Sequence, residues 1–296
     1  MKRWIPLYAA LLATPGMGQV IVDDSWTDGG RDNGADALDT DWWTSTASTA
    51  IEVGPGFLGL VTGTSGRGIH GTFPSQTLAI GETLVATFTF TTPATVSAGS
   101  STAFRVGLFD TTGKPGLSAD LSASSGSPNP IYNNLLGYMI DYDVNTATAD
   151  IAVRERTNAA SGQLLAATGD YTSLGTGGDL YAIAPNTSYT GVLSLALSAS
   201  GLEITGSISQ GANLLSTFSV EDATVSTATF GMLAFHANSN TFGTSNTPNT
   251  DDNGIDFTNV RVELIPIPEP AMLGALSVGL LALRRHRRHA VERRSA

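Results

Sequence analysis

Seven aspartates crowd the early chain: Asp23, Asp24, Asp28, Asp32, Asp36, Asp39 and Asp41, with Asn33 among them. Carboxylate and amide oxygens are what Ca2+ takes as ligands, roughly six to eight at a time. The run lacks the Asp-x-Asp-x-Asn-Gly spacing of an EF-hand loop, so a calcium site here must borrow ligands from elsewhere. If the chain ends meet, Asp23 or Asp24 shares an ion with Asp251, Asp252 or Asp256. The competing reading is a solvated acidic loop.

Other groups with chemical potential are sparser. Asp141 and Asp143 alternate on one strand face, about 7 Å apart, a spacing that suits paired carboxylates or simply a wet face. His70, in Arg67-Gly68-Ile69-His70, reads first as a structural hydrogen-bonder, with Arg67 and Ile69 on the opposite face. Trp26, Trp42 and Trp43 are the tryptophans outside the extreme N-terminus, and an exposed indole would stack on a sugar ring. Trp42 and Trp43 are adjacent, so on a strand they point to opposite faces and at least one enters the core. Gly-x-Ser-x-Gly, His-Glu-x-x-His and a phosphate-binding glycine loop are absent. There is no cysteine, which excludes disulfides, a thiol nucleophile and thiolate metal sites.

The elements that must position these groups read as strands. Leu84, Ala86, Phe88 and Phe90 alternate with polar neighbours, as do Phe104, Val106 and Leu108, then Leu193, Leu195 and Leu197, then Leu202, Ile204 and Ile208. Phe230, Met232 and Ala234 oppose Leu233 and Phe235, which predicts a strand buried on both faces. Further strands are expected at 51–53, 57–62, 68–73, 138–144, 151–156, 214–220 and 257–264. Ser200-Gly201 makes a hairpin turn. Helical periodicity is confined to 35–43, and no fixed-period repeat is visible. Ser122–Ser127 and Asn238–Asn253 read as exposed loops and glycan carriers.

About a dozen strands in one body predict an all-β fold, a two-sheet antiparallel sandwich or jelly roll. In outline the body resembles the concanavalin A-like lectin and glucanase group. The resemblance rests on the opening Asp23-Asp24-Ser25-Trp26, the long mid-chain strands and the closing Ile255-Asp256-Phe257-Thr258-Asn259-Val260-Arg261-Val262. In jelly rolls the two chain ends often lie close, and Trp42 and Trp43 are candidate sugar contacts by their indole chemistry alone. A retaining glucanase of that group would carry Glu-x-Asp-x-x-Glu, which this chain lacks.

Both termini look like addresses. Residues 1–18 have a charged start (Lys2, Arg3), an apolar stretch from Trp4 to Ala13, and small residues at Gly16-Met17-Gly18, the pattern of an exported protein's signal peptide. Signal peptidase and the Sec machinery are the expected partners, with Gln19 as the mature start. Residues 266–296 carry Pro268-Glu269-Pro270, an apolar run from Ala271 to Leu283, and a basic cluster with Arg284, Arg285, Arg287 and Arg288. As a helix the run reaches about 20 Å, short against a hydrocarbon core of roughly 30 Å, so insertion is marginal and helped by snorkelling arginines. Those arginines place its end in the cytoplasm. Motif, run and cluster in this order resemble the PEP-CTERM sorting signal of Gram-negative bacteria. The resemblance implies a membrane-embedded exosortase-like enzyme as partner, with Pro268, Glu269 and Pro270 as the recognised positions. It also implies an association with exopolysaccharide and delivery to the cell surface or matrix.

Between the addresses lies the body, residues 19–265. Of 15 Lys and Arg, two lie in 1–18 and six in 266–296, leaving seven; of 26 Asp and Glu, 24 remain. A net charge near −17 on the body disfavours nucleic acid and anionic membranes as its partners. Three functions remain in view: a non-catalytic envelope or matrix protein, a carbohydrate-binding module, and a polysaccharide hydrolase or lyase. The first is the leading expectation.

Overall fold

The structure is a computed structural model that describes residues 18–32, 37–46, 50–97, 103–121, 129–144, 150–157, 162–247 and 252–266. Residues 1–17, most of the expected signal segment, and the residues Pro268, Glu269, Pro270, Ala271, Leu283, Arg284, Arg285, Arg287 and Arg288 lie outside these residues, as do residues 122–128, part of an expected loop.

Among the described residues the chain forms β1 (Gln19–Asp24), β2 (Trp42–Thr44), β3 (Ile51–Gly54), β4 (Phe57–Val61), β5 (Arg67–Thr77), β6 (Glu82–Thr91), β7 (Ala103–Phe109), β8 (Gly137–Asp143), β9 (Ile151–Arg156), β10 (Tyr171–Gly177), β11 (Ser188–Leu197), β12 (Leu202–Gln210), β13 (Asn213–Asp222), β14 (Thr229–Ala237) and β15 (Gly254–Pro266). They build two sheets. The first has the order β13-β12-β11-β6-β15-β4-β3, with β1 also on β15; the second runs β10-β9-β8-β7-β14-β5-β2. The ladders of both sheets are antiparallel, so the expected all-β jelly-roll sandwich is the observed fold.

Alternation explains the core. On β6 Leu84, Ala86, Phe88 and Phe90 are fully buried, and Phe104, Val106 and Leu108 of β7 face them from the other sheet. Phe235 meets Phe257 with ring centroids 4.4 Å apart, and Phe88 stands edge-on to Phe235 at 5.2 Å. Each such side chain contributes about 2–3 kcal/mol by leaving water. Gly191 on β11 is fixed by this packing, because a Cβ there would sit 2.2 Å from the Phe88 ring. Tyr142 reaches across the sandwich and donates to the carbonyls of Val192 (3.1 Å) and Ser207 (2.9 Å), so a buried hydroxyl stitches the two sheets.

The ends of the body do meet. β1 pairs with β15 from Gln19 opposite Leu264 to Asp24 opposite Val260. The Ser200-Gly201 turn closes the β11–β12 hairpin, with Ser198 N donating to the Gly201 carbonyl at 2.8 Å. Helical periodicity over 35–43 is not realised in the described part. Ala37 and Leu38 lie in a turn and Trp42 begins a strand, because its indole is drawn into the core and its backbone pairs with Gly71.

Candidate functional site

The outer face of the second sheet carries His70, Arg105, Arg156 and His236, four of the body's nine His, Lys and Arg side chains. Its register sets His236 of β14 beside Arg105 of β7 and Asp141 of β8, with His70 one row away. None of them is open to water. His70 and Arg156 are 0% exposed, His236 3% and Arg105 7%. Two loops fold back over this face, and the side chains beneath hold them by their carbonyls. His70 Nε2 donates to Leu117 O (2.7 Å), Arg105 to Leu165 O (2.9 Å), and Arg156 to Tyr132 O and Gln163 O (3.1 Å each). Arg105 also pairs with Asp141 at 3.2 Å. Phe109, Met139 and Met232 from the strands and Leu117, Tyr132, Leu135, Leu164 and Leu165 from the loops close a second apolar cluster. This cluster is why β14 is buried on both faces, as its sequence predicts.

Burial sets the electrostatics here. His70 is pushed down to about 4 by desolvation, against the opposing hydrogen bond to Leu117. His236 is pushed down to about 3 by desolvation and then by the Arg105 charge. Both rings are neutral at pH 7, and both His236 nitrogens lack a partner. The face is therefore a packed interior.

The opposite outer face, on the first sheet, holds an open cleft. One cross-strand row runs Glu52 (β3), Gly59 (β4), Asp256 (β15), Thr91 (β6). Gly59 has no side chain, and the two acids lean over the space. A Cβ there would lie 2.9 Å from Glu52 Oε1 and 3.1 Å from Asp256 Oδ1, so those oxygens are no more than about 6 Å apart. Asn253, itself buried, donates from Nδ2 to Glu52 Oε1 (3.1 Å) and to Thr247 O (3.2 Å). Glu52, Asp256, Thr91, Thr92, Pro93, Ala94, Asn186, Asn253, Gly254 and Phe57 line a cleft of about 610 Å³. Phe57 lays its ring over Gly54, where a Cβ would come within 2.5 Å of it. The rim is braced: Thr92 Oγ1 donates to Ala184 O (2.7 Å) and accepts from Thr187 N (3.0 Å), while Asn186 N donates to Pro93 O (3.0 Å). Desolvation, then the Glu52 charge, raises the Asp256 carboxyl to about 6.

The residues singled out in the sequence fare differently. Asp23, Asp24 and Asp256 do not assemble. Asp24 is opposite Val260 on β15, four residues from Asp256, or about 13 Å along the strand. Asp23 pairs with Arg261 and accepts from Asn259 Nδ2 (3.1 Å). Asp24 points inward, accepting from Trp42 Nε1 (2.8 Å) and Trp26 N (3.1 Å). Asp23 and Asp39 do line a hollow of about 300 Å³, but no group of three or more metal-ligating side chains is present among the described residues. Trp42 is 1% exposed and belongs to the core, so it offers no surface to a sugar. Trp43, on the opposite face, is half-buried with the Arg31 guanidinium 5.6 Å from its ring centroid. His70 is the structural hydrogen-bonder its context suggests. Part of the stretch from Asn238 to Asn253 is interior, since Thr241, Phe242 and Asn253 are buried. Glu52 and the cleft it shares with Asp256 went unread in the sequence, because only strand register brings them together.

No family model and no curated protein matches the chain. Solved structures do resemble it. An endo-1,3-beta-glucanase from Streptomyces sioyaensis aligns with a TM-score of 0.50 at 10% identity, over 86% of this chain and 99% of that one. The exoplasmic/lumenal domain of VIP36 in its Ca2+/Man2-bound form gives 0.48 at 10% identity, over 84% and 88%. The Emp46p carbohydrate recognition domain gives 0.48 at 9%, over 81% and 94%. These neighbours are lectin-like and glucanase jelly rolls, and at such identities the likeness is one of fold.

Proposed function

We propose that this chain is an exported carbohydrate-binding protein of the cell envelope or extracellular matrix, with the Glu52–Asp256 cleft as its glycan site. The cleft carries the reading. A sugar presents vicinal hydroxyls, which donate to carboxylates and both donate to and accept from amides, and it presents an apolar C–H face. Glu52, Asp256 and the Asn186 amide supply the polar set, Asn253 holds Glu52 from behind, and the Phe57 ring supplies the flat apolar surface. Lectin-like neighbours, VIP36 with mannose among them, share this fold without extending their sites to this chain. Delivery is assigned to the two addresses: export through residues 1–18, then recognition of Pro268-Glu269-Pro270 by an exosortase-like enzyme. The test is a glycan array, with exopolysaccharide from a producing bacterium beside it, probed with the mature chain in detergent. Binding is expected, and Asp256→Asn and Phe57→Ala each weaken it about tenfold, or about 1.4 kcal/mol, without unfolding. A chain that retains no glycan overturns the reading.

A second reading, catalysis on the bound glycan, is favoured by one observation. A carboxyl that keeps its proton to about pH 6 beside a second carboxylate is the pairing that acid–base cleavage of a glycosidic bond requires. Release of reducing ends from a bound polysaccharide, lost in both Glu52→Gln and Asp256→Asn, would establish it. Binding without release leaves the first reading standing.

A further inference from the structure

β15 runs from the cleft to the last described residue before the tail. Asp256 stands near its start and Pro266 ends it, a separation of about 33 Å along the strand. Cleft and tail junction thus occupy opposite poles of the sandwich. The tail pole has its own surface. Pro266 lies opposite Glu82 and Ile265 opposite Thr83. Just before β6 the chain turns through Ala79–Glu82, with Glu82 N donating to Ala79 O (3.0 Å) and Gly81 at φ 90°, the left-handed conformation a type II turn needs. That turn leaves Ile80 at its corner, 67% exposed. Ile265 is 37% exposed, and its side chain lies 3.3 Å from where a Cβ on Gly18 would be, so cleavage after Gly18 uncovers it further. Two of the five large apolar side chains exposed among the described residues therefore sit where the chain departs for its tail. The acids beside them are occupied: Glu82 accepts from Ala79 N (2.8 Å) and Glu263 pairs with Arg261.

Contour length completes the argument. Ala271, the first residue of the apolar run, follows Pro266 by five residues, a reach of no more than about 17 Å in any conformation. We propose that this pole rests on the lipid surface that the tail enters, with Ile80 and Ile265 as contact residues. β15 then holds the cleft about 30 Å off the membrane, facing the glycan it binds. The proposal rests on the tail being membrane-entering. The body's net charge near −17 gives it no attraction of its own for anionic lipid. Contact follows from the short tether, which keeps the pole at high effective concentration against the bilayer.

The chain has no cysteine, so single labels are clean. Ile80→Cys, Ile265→Cys and, at the cleft pole, Ala94→Cys are each labelled with a fluorophore in the full mature chain and reconstituted into phosphatidylcholine vesicles containing headgroup spin-labelled lipid. Labels at 80 and 265 are expected to be quenched at least twofold more than the label at 94. Equal quenching at the two poles, in chains that float with the vesicles, overturns the docking and leaves the tail reading intact. A label at 80 that is shielded from water but unquenched by the lipid shows a second copy on this surface, and also overturns it. Failure to float defeats the tail reading, and the docking with it.

Discussion

The sandwich has two outer faces, and each contradicts its own composition. The face of the second sheet carries His70, Arg105, Asp141, Arg156 and His236, the groups from which a binding site is usually built, yet it is closed. The face of the first sheet is largely Ser and Thr along β6, β11 and β12, yet it carries the open cleft. Loops make the difference. Buried arginines must find acceptors, and the residues around Tyr132 and Leu164 supply them as backbone carbonyls. Once those bonds form, the loops bring Leu135 and Leu165 onto the sheet and water leaves. On the first sheet the glycine between two acids lets the Glu52 side chain lie across it, and the cleft beside the pair stays open. A charged strand face is thus a statement about what loops can be held, and accessibility follows from that.

The sharpest way to break this contrast is to compare a ring from each face. Phe109→Ala removes a fully buried ring from beneath the loops and is expected to lose about 3–5 kcal/mol in urea denaturation. Phe57→Ala, at the cleft rim, is expected to lose under about 1 kcal/mol. Equal losses would mean that the second sheet's loops do not pack down in solution. Acid offers an independent route. His70 and His236 have folded values near 4 and 3, below the unfolded value of about 6.5, so the folded state binds fewer protons. Their contribution is fully present above pH 6.5 and is lost as pH falls toward 4 and 3, on the order of 3 kcal/mol each by pH 4. His236→Phe should flatten that decline between pH 6.5 and 4, and an unchanged slope would place the ring in water.

How much of this contrast was legible depended on whether local pattern or register carried it. Strands whose apolar residues alternate over several positions, such as β6, β7, β11 and β12, were readable because one face of each is the core. β10, Tyr-Thr-Ser-Leu-Gly-Thr-Gly, was not: its register shifts between Ser173 and Gly175, and two glycines interrupt the pattern. β2 is only three residues long, and the pull of the core on Trp42 outweighed local helical periodicity. For β14, burial on both faces was visible as an uninterrupted apolar run, but the loops that cause it were not. The candidate site was half legible. Asp256 stands out as a carboxylate, but the expected meeting of the two chain ends groups it with Asp23 and Asp24. Pairing instead sets it across Gly59 from Glu52, and no local feature of the sequence announces that neighbour.

A smaller effect separates the faces by sign. Asp256 has a folded value near 6, above the unfolded 3.8, so keeping it ionised costs stability in the folded state alone. The cost is absent below pH 3.8, grows as pH rises through 6, and is complete above that. Because the carboxyl is partly open to the cleft, solvent screening reduces it to about 1 kcal/mol. Asp256→Asn is therefore expected to stabilise the protein by about that much at pH 7 and to change nothing at pH 4. The acid dependence of the histidine face runs the other way. A destabilising Asp256→Asn at pH 7 would show that the carboxylate is held by partners and is not poised for a ligand.

The smallest expected effect concerns calcium. An ion held jointly by Asp23, Asp24 and Asp256 would stabilise the fold by about 2.7 kcal/mol at a hundredfold excess over its Kd, and Asp256→Asn would abolish that gain. The geometry predicts otherwise. Asp23 is engaged by Arg261, Asp24 by two tryptophans, and Asp256 lies about 13 Å along β15 from the point where Asp24 pairs. Whatever shift in Tm separates calcium from EGTA in the parent chain, Asp256→Asn should leave that difference unchanged to within about 1 °C, while moving both curves upward at pH 7. A calcium response that vanishes in Asp256→Asn would couple the cleft to an ion. The two carboxylates over Gly59 would then serve a metal first and a sugar through it.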